Sequence, residues 1–245
     1  MLQDIKLVLF DLDNTLFSFE TYWTQATTDT FYRSNITKHL PVKEFFSHYR
    51  HYDHHFWELH HQGHISLDEV RQQRLIHTLK HFNQEVSVEE ADTYFREFFS
   101  QLIYLVKPEE AVNAYLRELK QTYQVGIITN GKANEQRSKL MKLQLDKVFT
   151  EREIFISEEI GVEKPQRESF HIPLSQYGIE PAQAVYIGDS WNNDVVGAIN
   201  AGMSAIWINP KGNKPPSEHK PLFVTEDLIT LKETWVSLQT SKVEN

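Results

Sequence analysis

The run Ile5-Lys6-Leu7-Val8-Leu9-Phe10 is almost wholly apolar and stops at Asp11-Leu12-Asp13-Asn14-Thr15. No other stretch constrains the fold so much. A near-continuous apolar run of this length reads as a strand buried on both faces of a parallel sheet. Open sheets of that kind collect ligands beyond the carboxyl ends of their strands. Side chains alternate along an extended chain, so Asp11 and Asp13 leave it on the same side. Two like charges so close repel each other, and they are tolerated when one is protonated or when a hard divalent cation lies between them. The same residues also suit a strand end followed by a helix cap, since Asp, Asn and Thr are good turn and N-cap residues.

A second apolar run, Gln124-Val125-Gly126-Ile127-Ile128, ends in Thr129-Asn130-Gly131. A third, Ala184-Val185-Tyr186-Ile187, ends in Gly188-Asp189-Ser190, with Asp194 shortly after. Between them lies Gly161-Val162-Glu163-Lys164-Pro165. Taken singly, Thr129-Asn130-Gly131 could be a turn, Lys164 a solvated surface charge, and Gly188-Asp189-Ser190 a strand-to-helix connection with a cap. Their joint occurrence is harder to explain as structure alone, because each is a group that can hold a metal or a phosphoryl oxygen.

After Phe17 the pattern turns helical, with few glycines and many aromatic and histidine residues, and stays so to about Val106. Periodicity predicts helices over Phe19–Ser34, Val42–His61, Ser66–Phe82 and Val88–Leu105. Two of these open on capping boxes, Ser66-Leu67-Asp68-Glu69 and Ser87-Val88-Glu89-Glu90. From Pro108 strands alternate with helices expected near Glu109–Tyr123, Lys132–Leu145, Gln166–Tyr177 and Asn193–Asn200. That alternation argues for a parallel sheet with helices on both faces.

With these motifs in this order, the sequence resembles the haloacid dehalogenase superfamily, and within it the Mg²⁺-dependent phosphatases. The resemblance covers the first strand and nearly all of Leu105 to Ile208; the segment between matches in position and helical character only. It implies an α/β fold class, a Rossmann-like doubly wound parallel sheet core over residues 1–16 and 107–245. An all-helical domain, the family's C1 cap, is inserted at residues 17–106. It implies Asp11 as nucleophile, Asp13 as general acid/base, Thr129 as phosphate-binding hydroxyl and Lys164 as stabilising cation. Thr129, Asn130, Gly131 and Lys164 would bind the substrate phosphate. Mg²⁺, with Mn²⁺ as a substitute, would be held by Asp11, Asp189 and the backbone carbonyl of Asp13, with Asp194 either assisting indirectly through water or holding the lysine. An aspartyl-phosphate would form on Asp11 while Asp13 protonates the leaving alkoxide, and Asp13 would then activate water.

An acid at position 13 argues against the dehalogenase and phosphonatase branches. A phosphomutase and a catalytically inactive binding protein remain as alternatives. The pattern looks like the group holding pyrimidine 5'-nucleotidases and acylneuraminate 9-phosphatases, so the expected substrate is a small phosphorylated metabolite, a nucleoside 5'-monophosphate first and a sugar phosphate second. Substrate choice is expected in the cap, where Phe17, Phe19, Tyr22, Trp23, Phe56 and Trp57 could either stack on a base or pack as helix core.

Composition narrows the classes further. Of 245 residues 40% are apolar, enough for a folded core, and 34 acidic against 25 basic side chains leave a net charge of -9. That balance lacks the basic footprint of a protein that binds nucleic acid polymers. The absence of cysteine excludes disulfides, thiolate metal sites and a cysteine nucleophile. No apolar run is long enough to cross a bilayer, and the start leaves no room for a cleavable signal, so the expected setting is the cytoplasm. Seven histidines crowd the segment from His48 to His64. His51 and His55, one helical turn apart, could share a transition metal or simply line a solvated face. Protonating all 12 histidines would move the net charge from -9 to +3.

Overall fold

The structure is a computed structural model that describes residues 4–240. The chain divides into two compact units, Glu20–Val106 and the remainder, Met1–Phe19 with Lys107–Asn245.

In the larger unit six parallel strands form one sheet: β1 (Leu7–Phe10), β2 (Gln124–Thr129), β3 (Ile154–Ile156), β4 (Ala184–Gly188), β5 (Ser204–Ile208) and β6 (Phe223–Thr225). Their order is β3-β2-β1-β4-β5-β6. The chain thus builds outward from β1 on one side, then returns to β1 and builds outward on the other. Ligands bind at such a switch point because the connections on its two sides diverge and leave a crevice. Every residue of β1 is 0% exposed, which is why its sequence is apolar without alternation. Leu9 pairs with Gly126 on one side and Tyr186 on the other, so β4 ends one residue and β2 two residues beyond the end of β1. Leu7, Leu9, Ile128, Phe170 and Tyr186 share one core cluster, and each such side chain contributes roughly 1.5–3 kcal/mol by leaving water.

The sequence runs read as strands are β1, β2 and β4. The structure adds β3, β5 and β6, of which β3 and β6 are three residues each, too short to show a pattern.

The smaller unit contains α1 (Phe19–Arg33, whose first residue belongs to the larger unit), α2 (Val42–His61), α3 (Leu67–His81) and α4 (Val88–Leu105). Both expected capping boxes form, at Ser66 with Glu69 and at Ser87 with Glu90. Phe31, Phe45, Tyr49, Leu75, Leu79 and Tyr94 make its core. Of the aromatics left open between stacking surface and core, Phe56 is buried, and Trp23 packs against this core, stacked on Tyr49.

The remaining helices of the larger unit are α5 (Glu110–Leu119), α6 (Ala133–Lys142), α7 (Ser157–Ile160), α8 (Arg167–Tyr177), α9 (Gly197–Asn200) and α10 (Leu228–Thr240). A π-helical turn over Trp191–Val196 runs into α9. Phe17, in this unit, is buried edge-on to Phe19.

Candidate active site

The carboxyl ends of the strands position the acidic residues. Asp11 follows β1 directly, and its amide still donates to the Ile187 carbonyl at 2.9 Å, so the backbone keeps sheet register while the carboxylate clears the strand. Asp189 follows β4 in the same way. Asp194 enters from the π-helical turn, where the amide of Ser190 donates to its Oδ2 at 2.8 Å. Gly188 leaves the space that this carboxylate fills; a Cβ there would stand 2.3 Å from Asp194 Oδ2.

Lys164 lies at the centre and is 5% exposed. Its ammonium donates to Asp11 Oδ1 at 2.6 Å, to the Tyr186 hydroxyl at 2.7 Å and to Asp194 Oδ1 at 2.7 Å. Tyr186 in turn donates to the Ile128 carbonyl at 2.8 Å. Asn130 fixes the lysine from behind: its Nδ2 donates to the Lys164 carbonyl and its Oδ1 accepts from the Lys164 amide, both at 2.9 Å. The side chain of Asn130 is thereby committed to Lys164, and the Gly131 amide donates to Ser157 Oγ at 3.0 Å.

Asp13 faces a different partner. Lys139 on α6 donates to both its oxygens, at 2.9 and 2.7 Å, and Gln136 Nε2 reaches its Oδ2 at 3.3 Å. Gln136 also donates to Thr129 Oγ1 and to the Asn130 carbonyl. The Lys139 ammonium sits over the Phe19 ring, 4.4 Å from its centroid. Lys139, Gln136 and Tyr186 were not singled out from sequence. Lys139 and Gln136 share one face of α6 by their spacing of three, but nothing local connects them with Asp13, 126 residues before Lys139.

Negative charge exceeds positive at the centre. One oxygen each of Asp11, Asp189 and Asp194 lie within 4.8 Å of one another, against the single ammonium of Lys164. Burial, opposed by Lys164 and reinforced by Asp194 and Asp13, pushes the Asp11 carboxyl up to about 7. Burial, with Asp11 and Asp194, pushes Asp189 up to about 8. Burial works against the charge on Lys164, but Asp11 and Asp194 outweigh it and hold the ammonium well above its ordinary range. Among the described residues, Asp11 Oδ2 and both carboxylate oxygens of Asp189 have no hydrogen-bond partner. Unpartnered carboxylate oxygens carrying surplus charge fit a hard divalent cation. Asp194, with one oxygen on Lys164 and the other on the Ser190 amide, is placed to support such an ion at one remove.

The model of the haloacid dehalogenase-like hydrolase family matches residues 8–208. The glyceraldehyde 3-phosphate phosphatase of Methanothermobacter thermautotrophicus is 34% identical over 135 residues, 53% of this chain and 59% of that protein. The chain thus spans little more than half of that relative's length. The pyrimidine 5'-nucleotidase YjjG of Escherichia coli is 26% identical over 228 residues, 92% of this chain and 96% of that protein. In fold, the chain is like the magnesium-bound structure of the HAD-hydrolase YfnB of Bacillus subtilis, with a TM-score of 0.80 at 23% identity over 94% of this chain and 98% of that one.

Proposed function

Because the chain belongs to the haloacid dehalogenase-like hydrolase family, we propose that it is a Mg²⁺-dependent phosphomonoester hydrolase working through an aspartyl-phosphate on Asp11. The observation that carries this reading is the pairing of Asp11 with Lys164 at 2.6 Å while its other oxygen stays unpartnered among the described residues. Lys164 orients the carboxylate through one oxygen and leaves the other open to a ligand. Asp11 and Asp189, with the backbone carbonyl of Asp13, would hold the Mg²⁺, and Mn²⁺ would substitute. Bound there, the ion supplies the positive charge that lets a dianionic phosphate approach a carboxylate.

The chain's own groups do the rest. Asp11 forms a bond to phosphorus as the bond to the leaving oxygen breaks, and Asp13 gives that oxygen its proton. Asp13 then takes a proton from water, whose oxygen displaces Asp11 and releases phosphate. The Thr129 hydroxyl and the backbone amide of Asn130 hold the phosphoryl oxygens, with Lys164 opposite, while Gly131, its amide on Ser157 Oγ, shapes the turn that carries them. Lys139 acts as a positioning residue, holding the Asp13 carboxylate by two contacts. The helical unit is proposed to be the family's cap.

For the substrate we propose a nucleoside 5'-monophosphate, supported by the likeness to a pyrimidine 5'-nucleotidase over 92% of this chain. A triose or sugar phosphate is the second reading, favoured by the likeness to a glyceraldehyde 3-phosphate phosphatase. The test is release of inorganic phosphate from an aryl phosphate, then from nucleoside monophosphates and sugar phosphates, with and without Mg²⁺. Metal-dependent release without an acceptor sugar phosphate supports a hydrolase over a mutase. A folded, Mg²⁺-loaded protein that turns over none of these substrates would be a binding protein.

A further inference from the structure

Outside the acidic site, one other set of metal-ligating side chains converges among the described residues. Glu44 and His48 stand one turn apart on α2, and His81 is the last residue of α3. One donor atom from each lies within 4.8 Å of the other two. His81 Nε2 is 3.1 Å from Glu44 Oε1. The two imidazole rings lie close to face to face, their centroids 3.5 Å apart and their planes at 30°. Phe82 presents its ring at right angles to His48 and nearly so to His81. His48 is half-buried, yet among the described residues neither of its ring nitrogens has a hydrogen-bond partner. The pair noted from helical spacing, His51 and His55, is not part of this set. The convergence joins α2 to α3 rather than successive turns of one helix.

Two imidazoles this close repel if both are protonated, and Glu44 contacts one of them. A cation that accepts lone pairs from both neutral rings and from the carboxylate satisfies all three at once. Two imidazole nitrogens and one carboxylate oxygen suit zinc-class ions, which commonly leave a fourth position to water. Mg²⁺, which prefers oxygen, is not drawn to such a set.

We propose that Glu44, His48 and His81 bind a divalent transition-metal ion of the zinc class, clamping the start of α2 to the end of α3. Donors in a tetrahedral shell with bonds of about 2.1 Å stand about 3.4 Å apart. Glu44 and His81 are exposed, so side-chain rotation closes the remaining gap without moving the helices.

The test uses the tag-free full chain stripped with chelator, then titrated with Zn²⁺, and separately with Co²⁺ as an optical reporter, with excess Mg²⁺ present to occupy oxygen sites. Expected are one bound equivalent of Zn²⁺, a raised unfolding midpoint and visible ligand-field bands with Co²⁺. His48→Gln or His81→Gln should weaken binding at least about tenfold and remove the midpoint rise, whereas His51→Gln and His55→Gln should leave both. Undiminished Zn²⁺ binding in both the His48 and His81 variants would overturn the proposal. So would loss of binding on Asp11→Asn or Asp189→Asn, since that would locate the ion in the acidic site. NMR of the unsubstituted protein gives the same answer without depending on any variant's folding: Zn²⁺ must shift the ring signals of both His48 and His81, and unshifted rings would overturn the assignment.

Discussion

Arg74 in the helical unit and Lys164 in the α/β unit are each 5% exposed, but their surroundings differ. Arg74 pairs with one carboxylate, Asp53, and lies over the ring of Tyr49 at 4.7 Å. Charge is matched one to one, aromatic packing fills the rest, and the arginine Nε has no partner among the described residues. Lys164 instead has three acceptors and stands among carboxylates whose charge it cannot balance. A matched buried pair serves packing, since removing either member leaves the other stranded. A buried surplus destabilises the empty fold and persists where a ligand supplies the missing charge, so the two cations separate architecture from chemistry.

The largest test of that contrast is Asp11→Asn. We expect turnover to fall by about 10⁴-fold or more, as for loss of a nucleophile, while the metal-free unfolding midpoint does not fall. Arg74→Met should do the reverse. Urea unfolding should show a loss of about 2–3 kcal/mol, below the range for a fully buried pair because Asp53 retains some contact with water, and kcat per folded molecule should stay within about twofold of wild type. An Arg74→Met protein that stays folded and inactive would break the distinction.

The finest test is pH. Asp11 and Asp189 titrate near 3.8 when unfolded and are pushed up to about 7 and about 8 in the fold. The folded state therefore binds their protons more tightly. The stability drawn from the protonated forms is fully present below about pH 4 and is lost as pH rises through about 7 to 8. Without metal, the thermal midpoint should fall from pH 5 to pH 8. Asp189→Asn should flatten that slope, and saturating Mg²⁺ should remove most of it in the wild type. A metal-free midpoint that rises over this interval would show that the acidic surplus is not the dominant charge effect.

How much could be read from the chain depended on range. The strands β1, β2 and β4 were legible because each is a buried apolar run that ends in polar residues, and α1 to α4 because their periodicity and two capping boxes are local. β3 and β6 are too short for any period. Asp11, Asp189, Thr129 and Lys164 were legible as residue types in a family order. Tyr186 was not, because a tyrosine in an apolar run looks like core, and its hydroxyl gains meaning only where the sheet sets it beside Lys164. Lys139 with Asp13, and His81 with Glu44, are partners chosen by packing across long separations, which spacing along the chain does not encode.

The two hydrogen bonds between the Asn130 amide and the Lys164 backbone carry a chemical consequence. Asn-Gly sequences age by attack of the glycine nitrogen on the asparagine side chain, and here Gly131 follows Asn130, its nitrogen tied to Ser157 Oγ. That tether and the doubly held amide both restrain the ring closure on which deamidation depends. Were it to occur, the new carboxylate would set an acceptor against the Lys164 carbonyl oxygen, so loss of a single nitrogen would loosen the ammonium at the heart of the acidic cluster.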